Sequence, residues 1–257
     1  MSNQGRITEL WVTRVFKNWI LLEQMPYMMY PQKGAGFANT LIHLCDFFKT
    51  HPDGVVHESI KDYEFERWLT FHFPLTHRTD LPVYEPKIYI NPYTIQNVHP
   101  LVRKLISPSP ELKQVLDAVH VPVQAGMHIR RGASSIDSRV VVQKDTDVFA
   151  DSGALETFRK VYKLHHSIFL ASDSPETKKL FPNAKTIDTT IAVVHDECPD
   201  APTNDRRNIF VDFFLLSLCP KLYITGGNFP QLPGLSTFGY MAAIYGGVPF
   251  EVISNSS

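Results

Sequence analysis

The chain has 257 residues, of which 44% are hydrophobic and 20% are charged, and this composition is typical of a globular protein rather than a disordered one. Its 25 lysines and arginines are balanced by 26 aspartates and glutamates, which argues against a protein that holds nucleic acid through a broad basic face. This length is sufficient for one large core or for two compact domains.

The cysteines and the apolar segments indicate the cellular compartment in which we expect the protein. Three widely spaced cysteines without a CxxC motif argue against a structural zinc site and favour a reducing compartment. No segment approaches 18 consecutive apolar residues, and charged and amide side chains interrupt the apolar N-terminal stretch. We therefore expect a soluble, cytoplasmic protein without a signal peptide or a membrane anchor. A domain excised from a larger protein would have the same features.

The first predicted elements are a strand, a glycine turn and a helix over residues 26–51. The turn, "QKGAGFAN", places Gly34 and Gly36 just before the helix, where backbone N–H groups can approach a phosphate and the helix dipole favours an anion. A tight connection into a core helix explains the pattern equally well. Asn39 lies in the first helical turn, where its amide either reaches a ligand or caps the helix. Further along, "HESIKDYEFE" is typical of a solvated amphipathic element.

The second half alternates strands with helices, which predicts a parallel sheet with helices on both faces. Strands are predicted over residues 121–130, 167–172, 184–190, 221–227 and 248–254. Helices are predicted over residues 108–122, 151–166, 175–181, 204–219 and 236–247. Ligands of such sheets bind beyond the carboxyl ends of the strands. Three polar clusters fall at those ends: His128–Arg131, Asp173 and Gly226–Thr237.

The segment "HIRRG" ends the predicted strand over residues 121–130. The guanidinium fork of an arginine matches a diphosphate. Alternation along the strand places His128 and Arg130 on one side and Arg131 on the other. Surface salt bridges with Asp137 or Glu156 are the other explanation of the arginine pair.

Two further clusters combine helix capping with possible ligand contacts. Asp173, in "LASDSPE", suits an N-cap and also suits a carboxylate that accepts from a base or a sugar. Ser236 and Thr237 likewise suit either a cap or a phosphate site. The acidic residues Asp145 and Asp147 suit a divalent cation on a nucleotide-sugar.

Four motifs in this order resemble the GDP-fucose-dependent fucosyltransferase superfamily: "GMHIRRG", "IFLASDSPE", "DFFLLSLCPKLYITGG" and "STFGYMAAIYGG". The superfamily contains α1,2-, α1,6- and protein O-fucosyltransferases, and the last two motifs most resemble its xyloglucan fucosyltransferases. The resemblance implies an α/β, GT-B-like fold of two Rossmann-like halves with the donor in the cleft between them. We place an acceptor-side domain at residues 1–115 and a nucleotide-sugar-binding domain at residues 116–257.

The resemblance also implies roles for individual residues. His128 and Asp173 would contact guanine, and Arg130 would hold the diphosphate and stabilise the departing GDP. The remaining implied donor contacts come from the helix start over residues 236–238 and from the glycine turn: Ser236, Thr237, Phe238, Gly34, Gly36 and Asn39. An arginine takes the place of a metal ion in this family, so we expect neither a metal nor a cofactor besides the donor. Ala38 and Ala133 depart from the family pattern and leave a different nucleotide sugar open as the donor.

The resulting hypothesis is an inverting, metal-independent transfer of fucose from GDP-fucose to a hydroxyl of a glycan or glycoprotein. Arg130 and Asp137 are the predicted catalytic residues, with Asp137 as the base. Its rivals as base are Asp46, Glu58 and Asp62. Two alternatives stay open: a metal-dependent GT-A-type glycosyltransferase that uses Asp145 and Asp147, and a non-catalytic protein that binds a nucleotide sugar or a glycan.

Overall fold

A computed structural model of the chain describes residues 26–30, 37–63, 65–84, 99–120, 122–131, 150–187, 203–229 and 232–254. They form two sheets built mainly from parallel strands, an antiparallel pair of short strands, and eight α-helices. No helix in these ranges is long and apolar enough to cross a lipid bilayer.

The first sheet is parallel throughout and has the strand order β4-β2-β1-β5. Its strands are β1 (Met28–Met29), β2 (Val55–His57), β4 (Leu75–Thr76) and β5 (Val83–Tyr84). The predicted strand and helix over residues 26–51 are confirmed as β1 and α1 (Phe37–Thr50). The glycine turn between them lies outside the described residues.

The segment after β2 packs its apolar side chains into the core. It forms a 3-10 helix (Glu58–Tyr63), α2 (Phe65–Trp68) and β3 (Leu69–Phe71), and β3 pairs with β6 (Ile106–Pro108) after α3 (His99–Leu105). Ile60 and Phe65 are 0% and 2% exposed, whereas Lys61 and Glu66 are exposed, so the segment is amphipathic, as predicted. Phe65 packs edge-on against Phe37 and Phe210, which are distant in sequence, and a local pattern cannot register such contacts.

The second sheet confirms the alternation that the sequence predicts. Its parallel strands, in the order β11-β9-β7-β8, are β7 (Ala125–Ile129), β8 (Ile168–Ser172), β9 (Leu222–Phe229) and β11 (Phe250–Ile253). Its helices are α4 (Pro110–Val119), α5 (Ser152–Leu164), α6 (Pro175–Lys179), α7 (Thr203–Ser217) and α8 (Thr237–Gly246).

Two predictions in this half need correction. Lys185 makes a single bridge to Phe169 rather than a strand within residues 184–187, and the rest of that predicted strand lies outside the described residues. The strand predicted over residues 221–227 extends further, because β9 continues to Phe229 and β10 (Leu232–Leu235) pairs with its far end as an antiparallel hairpin.

One hydrophobic core joins the two halves of the chain. Phe37 of α1 lies 4.9 Å from Phe210 and 5.0 Å from Phe213 of α7, measured between ring centroids. The predicted domain boundary between residues 115 and 116 falls inside α4, and the division into two domains stays a prediction. A second core packs under α5 around Phe158.

Candidate functional site

The carboxyl ends of β7 and β8 meet at one edge of the second sheet. His128 is paired with Ala171 and Ile224, and Ile129 is paired with Ser172. The residues that leave these strands therefore emerge side by side, as parallel registers require. The candidate site occupies this edge, as the sequence predicts for ligands of such sheets.

Thr225 ties the end of β7 to β9 and was missed by the sequence interpretation. Its hydroxyl donates to the carbonyl of His128 at 3.0 Å and accepts from the backbone N–H of Arg130 at 3.0 Å. Its carbonyl accepts from the N–H of Ser236 at 2.9 Å. The feature of the sequence that could have identified this role is a threonine just before the glycines of "ITGG". Thr225 thus places Arg130 and the start of α8 relative to His128.

His128 is buried at the centre of this edge. Its ring lies 5.2 Å from the ring of Phe238, and burial, reinforced by the positive charge of Arg130, lowers its pKa to about 3. A Cβ at Gly239 would lie only 2.8 Å from Nδ1 of His128, so glycine is required for this close approach. The ring is therefore a neutral imidazole with one donor and one acceptor nitrogen.

Two buried polar atoms at this edge have no hydrogen-bond partner among the described residues: Nδ1 of His128 and the hydroxyl oxygen of Ser236. Ser236 holds the N-cap position of α8, as predicted, but its side chain makes no capping hydrogen bond. Buried polar groups in folded proteins are nearly always paired with protein, water or a ligand. These two atoms are therefore candidate hydrogen-bond partners for a polar ligand at this edge.

The structure separates the roles of the two arginines. The N–H of Arg131 donates to the Asp173 carboxylate at 2.8 Å, and its guanidinium donates to the carbonyl of Ala150. Arg131 is thus engaged in fixing the strand end. Arg130 is the arginine whose charge acts on His128, which agrees with the predicted sides of the strand.

The alternative explanations of Asp173 and of the arginine pair can now be assessed. The cap of α6 is Ser174, whose hydroxyl accepts from the N–H of Thr177, so Asp173 does not supply it. Glu156 pairs with Arg159 at 3.3 Å rather than with the strand-end arginines. Asp137, the other suggested salt-bridge partner, lies outside the described residues.

The start of α1 lies close to this edge. Phe213 contacts both Phe37, at the start of α1, and Phe238, at 5.0 and 5.7 Å between ring centroids. Asn39 is exposed two residues after Phe37, in the first turn of α1, which places it where the sequence predicts. Gly34 and Gly36 lie outside the described residues.

The remaining predicted acidic residues are only partly visible. Asp145 and Asp147 lie outside the described residues, as does the side chain of Asp62. Asp46 accepts a hydrogen bond from the Tyr84 hydroxyl, and burial, with Asp46 nearby, raises the pKa of Tyr84. Within the described ranges no group of three or more His, Cys, Asp or Glu side chains is arranged to hold a metal ion.

A cavity of about 400 Å³ lies at the opposite end of the second sheet. Its walls include Pro122, Phe169 and Pro220, which lie at or just before the amino ends of β7, β8 and β9. None of the predicted site residues lines it, so this cavity is separate from the candidate site.

No protein-family model and no curated protein sequence matches the chain. Among solved structures, the NodZ α-1,6-fucosyltransferase soaked with GDP-fucose is similar, with a TM-score of 0.50 and 13% identity over 86% of this chain and 92% of that chain. NodZ from Bradyrhizobium gives a TM-score of 0.49 with 14% identity, over 84% and 92% of the two chains. POFUT1 in complex with GDP-fucose gives 0.37 with 10% identity, over 90% and 75%. The similarity to the soaked NodZ structure confirms the predicted GT-B-like α/β fold.

Proposed function

We propose that the chain is an inverting, metal-independent glycosyltransferase that transfers fucose from GDP-fucose to a hydroxyl of a glycan or glycoprotein. The observation that carries the proposal is the pair of buried polar atoms without partners, His128 Nδ1 and Ser236 Oγ, beside Arg130 at the carboxyl edge of a parallel sheet. The structurally similar NodZ was soaked with GDP-fucose, and four sequence motifs resemble the same superfamily.

The proposed donor contacts follow from the chemistry of each group. A neutral His128 offers a ring nitrogen to guanine, with the ring of Phe238 beside it. The uncapped start of α8, with Ser236 and Thr237, suits a phosphate because helix N-termini present N–H groups and partial positive charge. Guanine recognition by Asp173, and phosphate or fucose contacts by Gly34, Gly36 and Asn39, are further parts of the proposal.

In the proposed reaction, an acceptor oxygen attacks the anomeric carbon while the bond from that carbon to the β-phosphate breaks. Negative charge grows on GDP as it departs. Arg130 and the start of α8 would stabilise that charge more strongly in the transition state than in the bound donor, which is the condition for catalysis. No metal ion is needed where these groups already supply positive charge.

The proposal is tested by titrating GDP into wild-type protein and the Arg130→Ala variant in a calorimeter. Losing a charge-assisted contact to phosphate should cost roughly 1.5–3 kcal/mol of binding free energy. Arg130→Lys should also bind weakly, because a point charge does not replace the guanidinium fork. Arg159→Ala is the matched control, since Arg159 is an exposed arginine of α5 whose partner is Glu156. Equal GDP affinity in wild type and Arg130→Ala would contradict the proposal.

Fucose transfer measured after exhaustive EDTA treatment separates the alternatives. We expect activity to persist. Loss of activity that manganese restores, together with inactive Asp145→Asn and Asp147→Asn variants, would favour the metal-dependent alternative. GDP binding without any turnover of GDP-fucose would identify a non-catalytic binding protein.

A further inference from the structure

We propose that Glu58 is the general base that takes the proton from the attacking hydroxyl, and that His77 positions its carboxylate. This inference rests on the proposed function, because it assigns the acceptor side of the same reaction. It concerns the carboxyl ends of β2 and β4 in the first sheet, to which no donor contact is assigned above.

Glu58 and His77 emerge from neighbouring parallel strands. In the register of β2 and β4, His57 is paired with Thr76, so the next residue of each strand leaves the sheet at the same level. Oε1 of Glu58 and Nδ1 of His77 form a hydrogen bond there. The side chain of Glu58 is 32% exposed and that of His77 is 83% exposed. The carboxylate is therefore partly shielded from water and still reachable.

The aromatic core connects this edge to the donor edge. Phe37 follows β1 and Phe65 follows the 3-10 helix that Glu58 begins, and their rings are 5.6 Å apart. Phe213 contacts Phe37 and also Phe238, which lies against His128. The chain segments that leave the carboxyl ends of both sheets thus contribute rings to one aromatic cluster.

The residues near Glu58 carry groups that can bind a sugar. Tyr30 directly follows β1, and its half-buried ring lies 4.4 Å from the ring of His57. Nδ1 of His57 accepts from the N–H of Ser59 at 3.2 Å, which leaves Nε2 as the ring nitrogen that can donate. An aromatic face can bind a pyranose ring, and a ring N–H donor and a carboxylate can bind one of its hydroxyls. All three groups are present at these two adjacent strand ends.

The other carboxylates of this region are less suited to act as a base. Asp46 lies within α1 rather than at a strand end, and the Tyr84 hydroxyl binds it. Asp80 forms two hydrogen bonds with Arg78, and these lower the pKa of its carboxyl group, which makes it a poorer proton acceptor. Glu66 is exposed and lies 4.0 Å from Lys61.

In the proposed step, the acceptor O–H proton passes to the Glu58 carboxylate as the oxygen forms its bond to the anomeric carbon. The bond from that carbon to the β-phosphate oxygen breaks, and its electron pair leaves with GDP. Glu58 then releases the proton to water. His77 keeps the carboxylate oriented and does not touch the reacting atoms.

The test measures GDP release from GDP-fucose, with water alone and with each oligosaccharide acceptor that wild type uses, together with calorimetric GDP affinity. Glu58→Gln should lower kcat by about 10²–10⁴-fold and leave GDP affinity unchanged. Glu66→Gln, the same chemical change at an exposed position, should keep kcat within about twofold of wild type. Unfolding curves of both variants establish that they fold.

Two variants of His77 test its positioning role separately. His77→Ala should lower kcat by about two- to fivefold with unchanged GDP affinity and thermal midpoint, since the side chain of His77 is largely exposed. His77→Gln retains a donor for Glu58 and should recover most of that loss. Equal kcat losses in His77→Ala and His77→Gln would contradict a positioning role.

The outcomes separate this inference from the proposed function. If wild type binds no GDP or turns over no GDP-fucose, the proposed function fails, and this inference fails with it. If wild type is active and Glu58→Gln retains its kcat, only this inference is overturned. A large loss in Asp137→Asn with a normal Glu58→Gln would assign the base to Asp137. Loss of GDP affinity in Glu58→Gln would also overturn the inference, because the residue would then act on the donor.

Discussion

At the scale of single residues, the surroundings of His128 determine the pKa of its ring. It is buried beside Phe238 and Gly239 and near the charge of Arg130, and these conditions hold its pKa at about 3. The same histidine in an exposed strand end would titrate near neutral pH. Held neutral, it can both donate and accept hydrogen bonds, as the proposed guanine contact requires, while Arg130 would supply the proposed positive charge for phosphate.

The lowered pKa of His128 predicts a pH-dependent stability. Unfolding returns the ring to an ordinary pKa of 6.5, so between pH 6.5 and about 3 the unfolded chain binds a proton that the folded chain does not. The free energy of unfolding should therefore be unaffected by this residue above pH 6.5 and fall below it, by up to about 1.4 kcal/mol per pH unit. Burial also lowers the pKa of His43, which adds to the fall.

Urea unfolding at pH 7.5 and pH 5 measures this effect in wild type and in His128→Gln without ligand. The variant should lose less stability between the two pH values than wild type does. His43→Gln is the parallel variant for the second buried histidine. An identical loss in wild type and His128→Gln would contradict the assignment.

At the scale of elements, α8 is held differently at its two ends. Its start carries the uncapped Ser236 hydroxyl, while its end is closed by Gly247 at φ 64°, a conformation that glycine adopts without strain. Arg103 of α3 donates to the carbonyls of Tyr245 and Gly246 at 2.5 and 2.6 Å. The end away from the candidate site is therefore fully paired, and the Ser236 hydroxyl without a partner lies at the other end.

Arg103 should stabilise the fold through both carbonyls. Arg103→Lys and Arg103→Ala should each lower the free energy of unfolding by about 1 kcal/mol, because a lysine cannot hold both oxygens in the geometry of the fork. Chemical denaturation measures the change. The exposed Arg159→Ala serves again as the control and should stay within about 0.5 kcal/mol of wild type. An Arg103→Ala variant as stable as wild type would refute the role.

At the scale of the whole molecule, the shared core couples the two halves. Phe37 precedes the predicted boundary and Phe210 and Phe213 follow it, yet their rings are in direct contact. All three side chains are 4% exposed or less. Separating the halves would expose these rings to water, which opposes independent unfolding.

We therefore expect a single calorimetric unfolding transition, with GDP raising its midpoint by mass action. Phe37→Leu should shift the whole transition downward, at a cost of about 1 kcal/mol, because the change conserves most of the side-chain volume. Scanning calorimetry checks both statements. Two resolved transitions, or a Phe37→Leu variant that moves only one of them, would show that the halves unfold separately.

The sequence by itself determined most elements of the second half and the strand-end positions of the candidate site residues in it. Strand–helix alternation predicts β7, β8, β9 and β11, and Asp151 caps α5 as its residue type indicates. These signals are local, because a cap or a periodic stripe acts within a few residues of chain. The strand-end position of His128 and Arg130 follows from the same alternation.

Only the tertiary structure decided which polar groups are already engaged and which are available. Asp173 is bound to the backbone of Arg131, the Ser236 hydroxyl is buried without capping its helix, and Glu58 meets His77 across two strands. The burial of Phe65 and the extension of β9 into a hairpin likewise depend on partners distant in sequence or on strand pairing. Hydrogen-bond satisfaction and burial are properties of contacts that form only when the chain has folded, so residue type and spacing cannot determine them.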